Sequence, residues 1–153
     1  MKTTYVTAIL ASTLVLTSLA AVAQQDRKPK NPCRIDISFP HISTNIDERQ
    51  GIRAVKVNAF SICNRPHSHI SLTVQLWKEN KVFKEMLIET VARQPKLVPA
   101  GARFYNENTF VPCLNYKMTN YYGIAFAKAK IDGKWYIAQH KLEVEIPPIR
   151  CGT

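Results

Sequence analysis

From residue 33 onward, apolar positions in this 153-residue chain recur at every second place or cluster in short runs, with no convincing helical spacing. The clearest case is "HISLTVQLWK" (69–78), where Ile70, Leu72, Val74 and Leu76 alternate with Ser71, Thr73 and Gln75. A period of two sends those two sets to opposite faces of a β-strand. Six further runs read the same way: "CRIDISF" (33–39), "IRAVKVNAFSIC" (52–63), "VFKEMLIETV" (82–91), "RFYNENTFVPC" (103–113), "YYGIAFAKAKI" (121–131) and "KWYIAQHKLEVEI" (134–146). Short strands of this kind, separated by turn residues, predict an all-β fold: an immunoglobulin-like antiparallel β-sandwich of about seven strands. The run at 82–91 contains good helix formers, but "KENK" before it favours a hairpin connection between two strands. Pro112 has no N–H for a ladder, which places the end of its run at an edge or a bulge.

One turn fixes a register. In "KIDGKW", Asp132-Gly133 joins two strand-like runs, and Asp-Gly tolerates the positive φ angles that a two-residue type I′ hairpin requires. Ile131 then faces Lys134, and Lys130 faces Trp135. One face of the hairpin pairs Ala129 with Tyr136, Ala127 with Ala138, Ala125 with His140, Gly123 with Leu142 and Tyr121 with Val144. Small residues against larger apolar ones mark a packed inner face. The other face carries Tyr122, Ile124, Phe126, Lys128 and Lys130 beside Trp135, Ile137, Gln139, Lys141 and Glu143.

The N-terminal segment changes the picture from fold to compartment. "MKTTYVTAILASTLVLTSLAAVAQQ" has an early Lys2, an apolar stretch and a small-x-small ending at Ala21-Val22-Ala23. It reads as a secretory signal peptide over residues 1–23. A polar, basic, proline-punctuated arm follows at 24–32, and a single domain fills 33–153. No later stretch is long and apolar enough to span a bilayer, so the product is expected to be secreted and extracellular. The mature part has no N-x-Ser/Thr acceptor for glycosylation.

All the cysteines, Cys33, Cys63, Cys113 and Cys151, fall in the exported part. An oxidising compartment and an even count predict two disulfides; the absence of a C-x₂-C pair argues against a zinc site. If successive strands alternate in direction, Cys33 and Cys63 share one end of the domain while Cys113 and Cys151 share the other. That favours Cys33–Cys63 and Cys113–Cys151 over the immunoglobulin-like Cys63–Cys113.

The formal net charge is +10, of which the leader contributes only Lys2. Such a protein is drawn to anionic surfaces, although charge alone also serves solubility. Candidate chemistry is sparse. His67 and His69 in "CNRPHSHISL" point the same way if that corner is extended, and with His41 or His140 they could hold Zn²⁺ or Cu²⁺. The pair lacks a third ligand and an orienting shell nearby in sequence, so ordinary turn histidines explain it better, and no metal or cofactor is assigned. His140 falls on the inner hairpin face, where a satisfied, half-buried ring is the expectation. Paired histidines beside lysine would suit ribonuclease-like acid/base work, yet no motif gathers His67, His69 and His140. There is no G-x-S-x-G, H-E-x-x-H or P-loop, and no specific nucleic-acid motif.

The outer hairpin face is the candidate ligand-binding site: Tyr122, Phe126, Lys128, Lys130, Trp135 and Lys141 form a basic aromatic strip. Such strips stack sugars, attract anions and make protein interfaces. The competing reading makes Ile124, Phe126 and Ile137 part of a second buried face, with lysine stems running past them.

The motifs "VKVNAFSICNRP", "HISLTVQLWK", "FVPC", "IDGKWY" and "IPPIRCGT", spread from Ile52 to Thr153, resemble small exported β-domain proteins of actinobacteria. The resemblance implies a β-sandwich with paired cysteines and brings no catalytic residues. The expectation is a secreted, non-enzymatic interaction protein that engages an extracellular protein or anionic polymer through the strip. The alternative is a small secreted hydrolase or toxin using His67, His69 or His140.

Overall fold

The alternation read in the sequence becomes two antiparallel sheets packed against each other. The computed structural model describes residues 31–80, 82–142 and 147–153, so the leader, most of the basic arm and Val144 lie outside the described residues. In the first sheet, β3 (Ala54–Cys63) is central, with β6 (Arg103–Pro112) on one side. Along its other side lie β1 (Cys33–Ile37), opposite Ala59–Cys63, and β2 (His41–Ile42), opposite Val55 and Lys56. The second sheet runs β5 (Lys84–Gln94), β4 (Ser68–Glu79), β7 (Asn115–Ile131), β8 (Lys134–Lys141). β9 (Ile149–Gly152) pairs with the first part of β7. Pro112 closes an edge strand, where its missing N–H costs no ladder bond.

The inner faces follow the period of two. Ile70, Leu72, Val74 and Leu76 of β4 are essentially inaccessible to solvent. Leu72, Val74 and Leu76 pack with Ile35, Ile37, Val55, Val57, Tyr121, Ala125 and Ala127 into the main core, while Ile70, Ala129 and Ile131 belong to a smaller cluster around Cys33, Cys63 and Val98. Gly123 lets the sheets approach closely, because a Cβ there would lie 2.8 Å from both Ile37 Cδ1 and Val57 Cγ2. One polar node also joins the sheets. Buried Asn106 of β6 donates from Nδ2 to the Leu72 carbonyl at 3.0 Å and to the Thr90 carbonyl at 3.1 Å.

The Asp132-Gly133 hairpin has the expected register, from Ile131 opposite Lys134 to Ala125 opposite His140. Asp132 and Gly133 take φ of 47° and 79°, as a type I′ turn requires. The Leu142 N–H donates to the Gly123 carbonyl, continuing the expected pairing one step further. Both disulfides form as favoured, Cys33–Cys63 and Cys113–Cys151. They do different jobs. Cys33–Cys63 joins residues already facing each other in the β1–β3 ladder, whereas Cys113–Cys151 ties the end of β6 to β9 and so links the two sheets.

The structure departs from the sequence reading in three places. Nine strands are described rather than about seven, because β2 and β9 are too short to show a period. A short helix, α1 (Thr44–Gln50), also interrupts the all-strand pattern. It begins where Ser43 Oγ accepts from the Ile46 N–H, and ends at Gly51, whose left-handed backbone lets its N–H reach the Asp47 carbonyl. Only Ile46 of this helix is buried, so hydrophobic spacing carried no helical signal. β7 also starts at Asn115, six residues before the expected run. Among the described residues no helix is long and apolar enough to cross a membrane.

Candidate functional site

The outward face of the β5-β4-β7-β8 sheet carries all six residues of the expected strip. Their placement follows from pairing across the strands. Arg93, Ser71, Lys128 and Ile137 form one row; Val91, Thr73, Phe126 and Gln139 the next; Glu89, Gln75, Ile124 and Lys141 the third. Met86, Trp77 and Tyr122 continue it, followed by Lys84, Glu79 and Asn120. The reading of a second buried face does not describe this surface: Trp135 is 51% and Ile137 66% exposed, and Val91 and Met86 are also open to solvent. Ile124 and Phe126 are half-buried among their neighbours, and only Tyr122 is buried.

The aromatic groups form two stations. At one, Trp77 stacks on Tyr122 with ring centroids 5.9 Å apart and planes 14° from parallel. Lys84 and Lys141 lie over the Tyr122 ring at 5.6 and 5.5 Å. Burial pushes the Tyr122 phenol pKa up, with the nearby Lys84 charge opposing part of that effect. Lys84 is itself raised, by its hydrogen bond to Glu79 and then by the Glu79 charge. At the other station, Lys128 Nζ sits 4.3 Å from the Trp135 ring centroid and His69 meets that ring edge-on at 6.4 Å.

Among the described residues the acidic groups of the face are already engaged; Glu143, which the hairpin register assigns to the same face, lies outside them. Glu89 accepts from Gln75 Nε2 at 2.6 Å, Gln75 Oε1 accepts from Trp77 Nε1 at 2.9 Å, and Glu79 pairs with Lys84 at 2.8 Å. Around Trp135, by contrast, Lys128 and Arg93 face a cleft of about 510 Å³ lined also by His69, Ser71 and Pro95. A second cleft of about 420 Å³ opens at the far end, between Lys78, Phe83, Met118 and Pro148.

The histidines do not behave as a set. A bulge in the β4–β7 pairing between Ser68 and Ser71 gives His69 a φ of 50°, so the extended corner that would have aligned His67 and His69 does not form. His67 is buried, with Nδ1 3.1 Å from the Arg65 carbonyl, while His69 is exposed beside Trp135. His140 places Nδ1 2.9 Å from the Ile35 carbonyl, the satisfied inward ring expected of it. Exposed His41 instead lies against the Phe39 carbonyl. Among the described residues no three His, Cys, Asp or Glu side chains converge as a metal site would need. The paired-histidine hydrolase therefore has only His69 beside the Trp135 cleft.

Sequence reasoning missed Arg93, Ser71, Trp77 and Lys84 as members of this face. Alternation along "HISLTVQLWK" did place Ser71 opposite the core, but its partners come from strands far away in the chain. No protein-family model matches the chain, and no curated protein matches it either.

Proposed function

We propose that this chain is an exported, non-enzymatic interaction protein that engages an anionic extracellular partner through the open face of the β5-β4-β7-β8 sheet. The observation that carries the proposal is the state of the charges there. Among the described residues, Lys128, Lys141 and Arg93 stand among exposed apolar and aromatic groups, Glu79 is paired with Lys84, and Glu89, hydrogen-bonded to Gln75, lies four residues along β5 from Arg93. An anion at Lys128 and Arg93 is then about 13 Å along the sheet from the Glu89 charge, and Trp135 offers apolar contact beside it. The leader, the paired cysteines and the resemblance to small exported β-domain proteins support the extracellular setting.

The test compares two double variants with the same change in net charge. Lys128→Glu with Lys141→Glu alters the proposed face; Arg34→Glu with Lys56→Glu alters the other sheet. Elution from an immobilised sulfated polysaccharide is followed against salt. The first pair is expected to elute at much lower salt than the second. Equal losses would mean that overall charge, not this face, draws the protein to the polymer.

A further inference from the structure

We infer that the cleft beside Trp135 is a subsite for one sulfated sugar unit of an acidic polysaccharide. This inference rests on the proposed anion-binding face and names its ligand class. Pairing across three strands puts Arg93, Ser71 and Lys128 in one row on the same face. Adjacent strands are roughly 5 Å apart, so the two cationic residues stand about 10 Å apart at their Cα atoms with a serine between them. The small side chain leaves a notch with a hydroxyl between Arg93 on one side and Lys128, whose ammonium lies over Trp135, on the other. That suits a tetrahedral oxyanion, which takes hydrogen bonds from several directions.

Trp135 forms the wall beside this notch, half exposed, with Lys128 over its ring and His69 at its edge. An indole face packs against the C–H face of a pyranose while the charged substituent reaches the notch. The cleft, about 510 Å³, is the size of a small-molecule site. The β4 bulge helps to build it, because the extra residue carries His69 out beside Trp135 with a positive φ.

A nucleic-acid strand is the weaker fit. It binds by stacking successive bases on successive open aromatic faces. Here Trp77 and Tyr122 stack on each other, Tyr122 is buried, and two lysines lie over its ring. Trp135, which also carries a lysine over its ring but is half exposed, is the one open aromatic platform of the strip among the described residues. Lys141 is level with Ile124, four residues along β7 from Lys128, or about 13 Å. An acidic chain seated at Trp135 can therefore meet a second cation further along the same strand.

The test uses full-length mature protein carrying Trp77→Phe, which leaves Trp135 as its fluorophore. Probes are a heparin tetrasaccharide, its desulfated counterpart and an oligothymidylate of equal charge. The tetrasaccharide is expected to shift Trp135 emission and to bind at least ten-fold more tightly than the other two. Arg93→Ala, and Ser71→Val, which fills the notch without changing charge, are each expected to weaken it about ten-fold. Circular dichroism checks that both variants fold. If folded Ser71→Val and Arg93→Ala bind like the parent while Lys141→Ala weakens binding, the subsite is wrong and the anion-binding face stands. Equal binding of the oligothymidylate, with the same sensitivity to Ser71→Val, overturns the sugar assignment. Absence of binding by every probe overturns both the subsite and the face.

Discussion

The two sheets pack their inner faces into a common core but differ in what they show to solvent. On the first sheet, Phe60 and Tyr105 pair with each other at 5.7 Å, and Arg103 covers Phe60 at 4.6 Å. Asp36 and Glu107 line the shallow pocket beside them, so acidic groups interleave with the basic ones. On the outer face of the second sheet, among the described residues, the carboxylates are bonded to Gln75 and Lys84, and Lys128 and Arg93 gather around an exposed Trp135. Aromatic and basic residues on a strand do not by themselves make a binding face. What separates the two surfaces is that Asp36 and Glu107 stand beside the aromatic pair of the first, while the charged groups lining the cleft at Trp135 are Lys128 and Arg93.

The bonds between the sheets show whether this division is also mechanical. Chain-entropy reckoning gives each disulfide about 4 kcal/mol of stability, since the closed loops span separations of 30 and 38 residues. Replacing Cys113 and Cys151 by alanine is expected to cost more than replacing Cys33 and Cys63, because the first bond links β6 to β9 while the second repeats a contact within one ladder. Urea unfolding of both double variants measures the difference. Equal losses would show that the sheets hold together without the Cys113–Cys151 bond.

The polar node between the sheets should have a smaller effect. Asn106→Ala removes both donations to the Leu72 and Thr90 carbonyls and leaves a small void in a buried site. The expected loss is about 2–3 kcal/mol. Hydrogen exchange locates it: amides of β5 and β6 should lose protection before those of β7, since Asn106 joins β6 to β4 and β5. Uniform loss of protection would assign the node to global stability instead.

How far the sequence carried this picture depends on the range of the signal. The Asp132-Gly133 turn is local chemistry and set the β7–β8 register correctly out to His140. Strand alternation carried the same logic to both cysteine pairs. His69 escaped because a bulge adds a residue without changing composition, and the period of two then misplaces the side chain. Arg93 escaped because its relation to Ser71 depends on the β4–β5 register, which contains its own shift between Leu76 and Trp77. The strip was legible along one hairpin; the cleft needed two further strands, β4 and β5.

The subtlest difference between the sheets lies in alkaline stability. Burial raises the Tyr122 pKa above its ordinary value of 10.0, although Lys84 opposes part of the shift. In the unfolded chain the phenol ionises near that ordinary value, so above it deprotonation favours unfolding. A raised folded-state pKa therefore gives stability that is complete below about pH 10 and lost as pH rises through the folded value. Lys84, raised by Glu79, shifts stability in the same direction from an ordinary value of 10.5. Tyr122→Phe keeps a ring for Trp77 to stack on but removes the titrating hydroxyl. The variant is expected to match the parent in urea unfolding near pH 8 and to lose less stability than the parent between pH 9 and 11. Parallel pH profiles would show that the Tyr122 hydroxyl does not sense its buried place beneath the lysines.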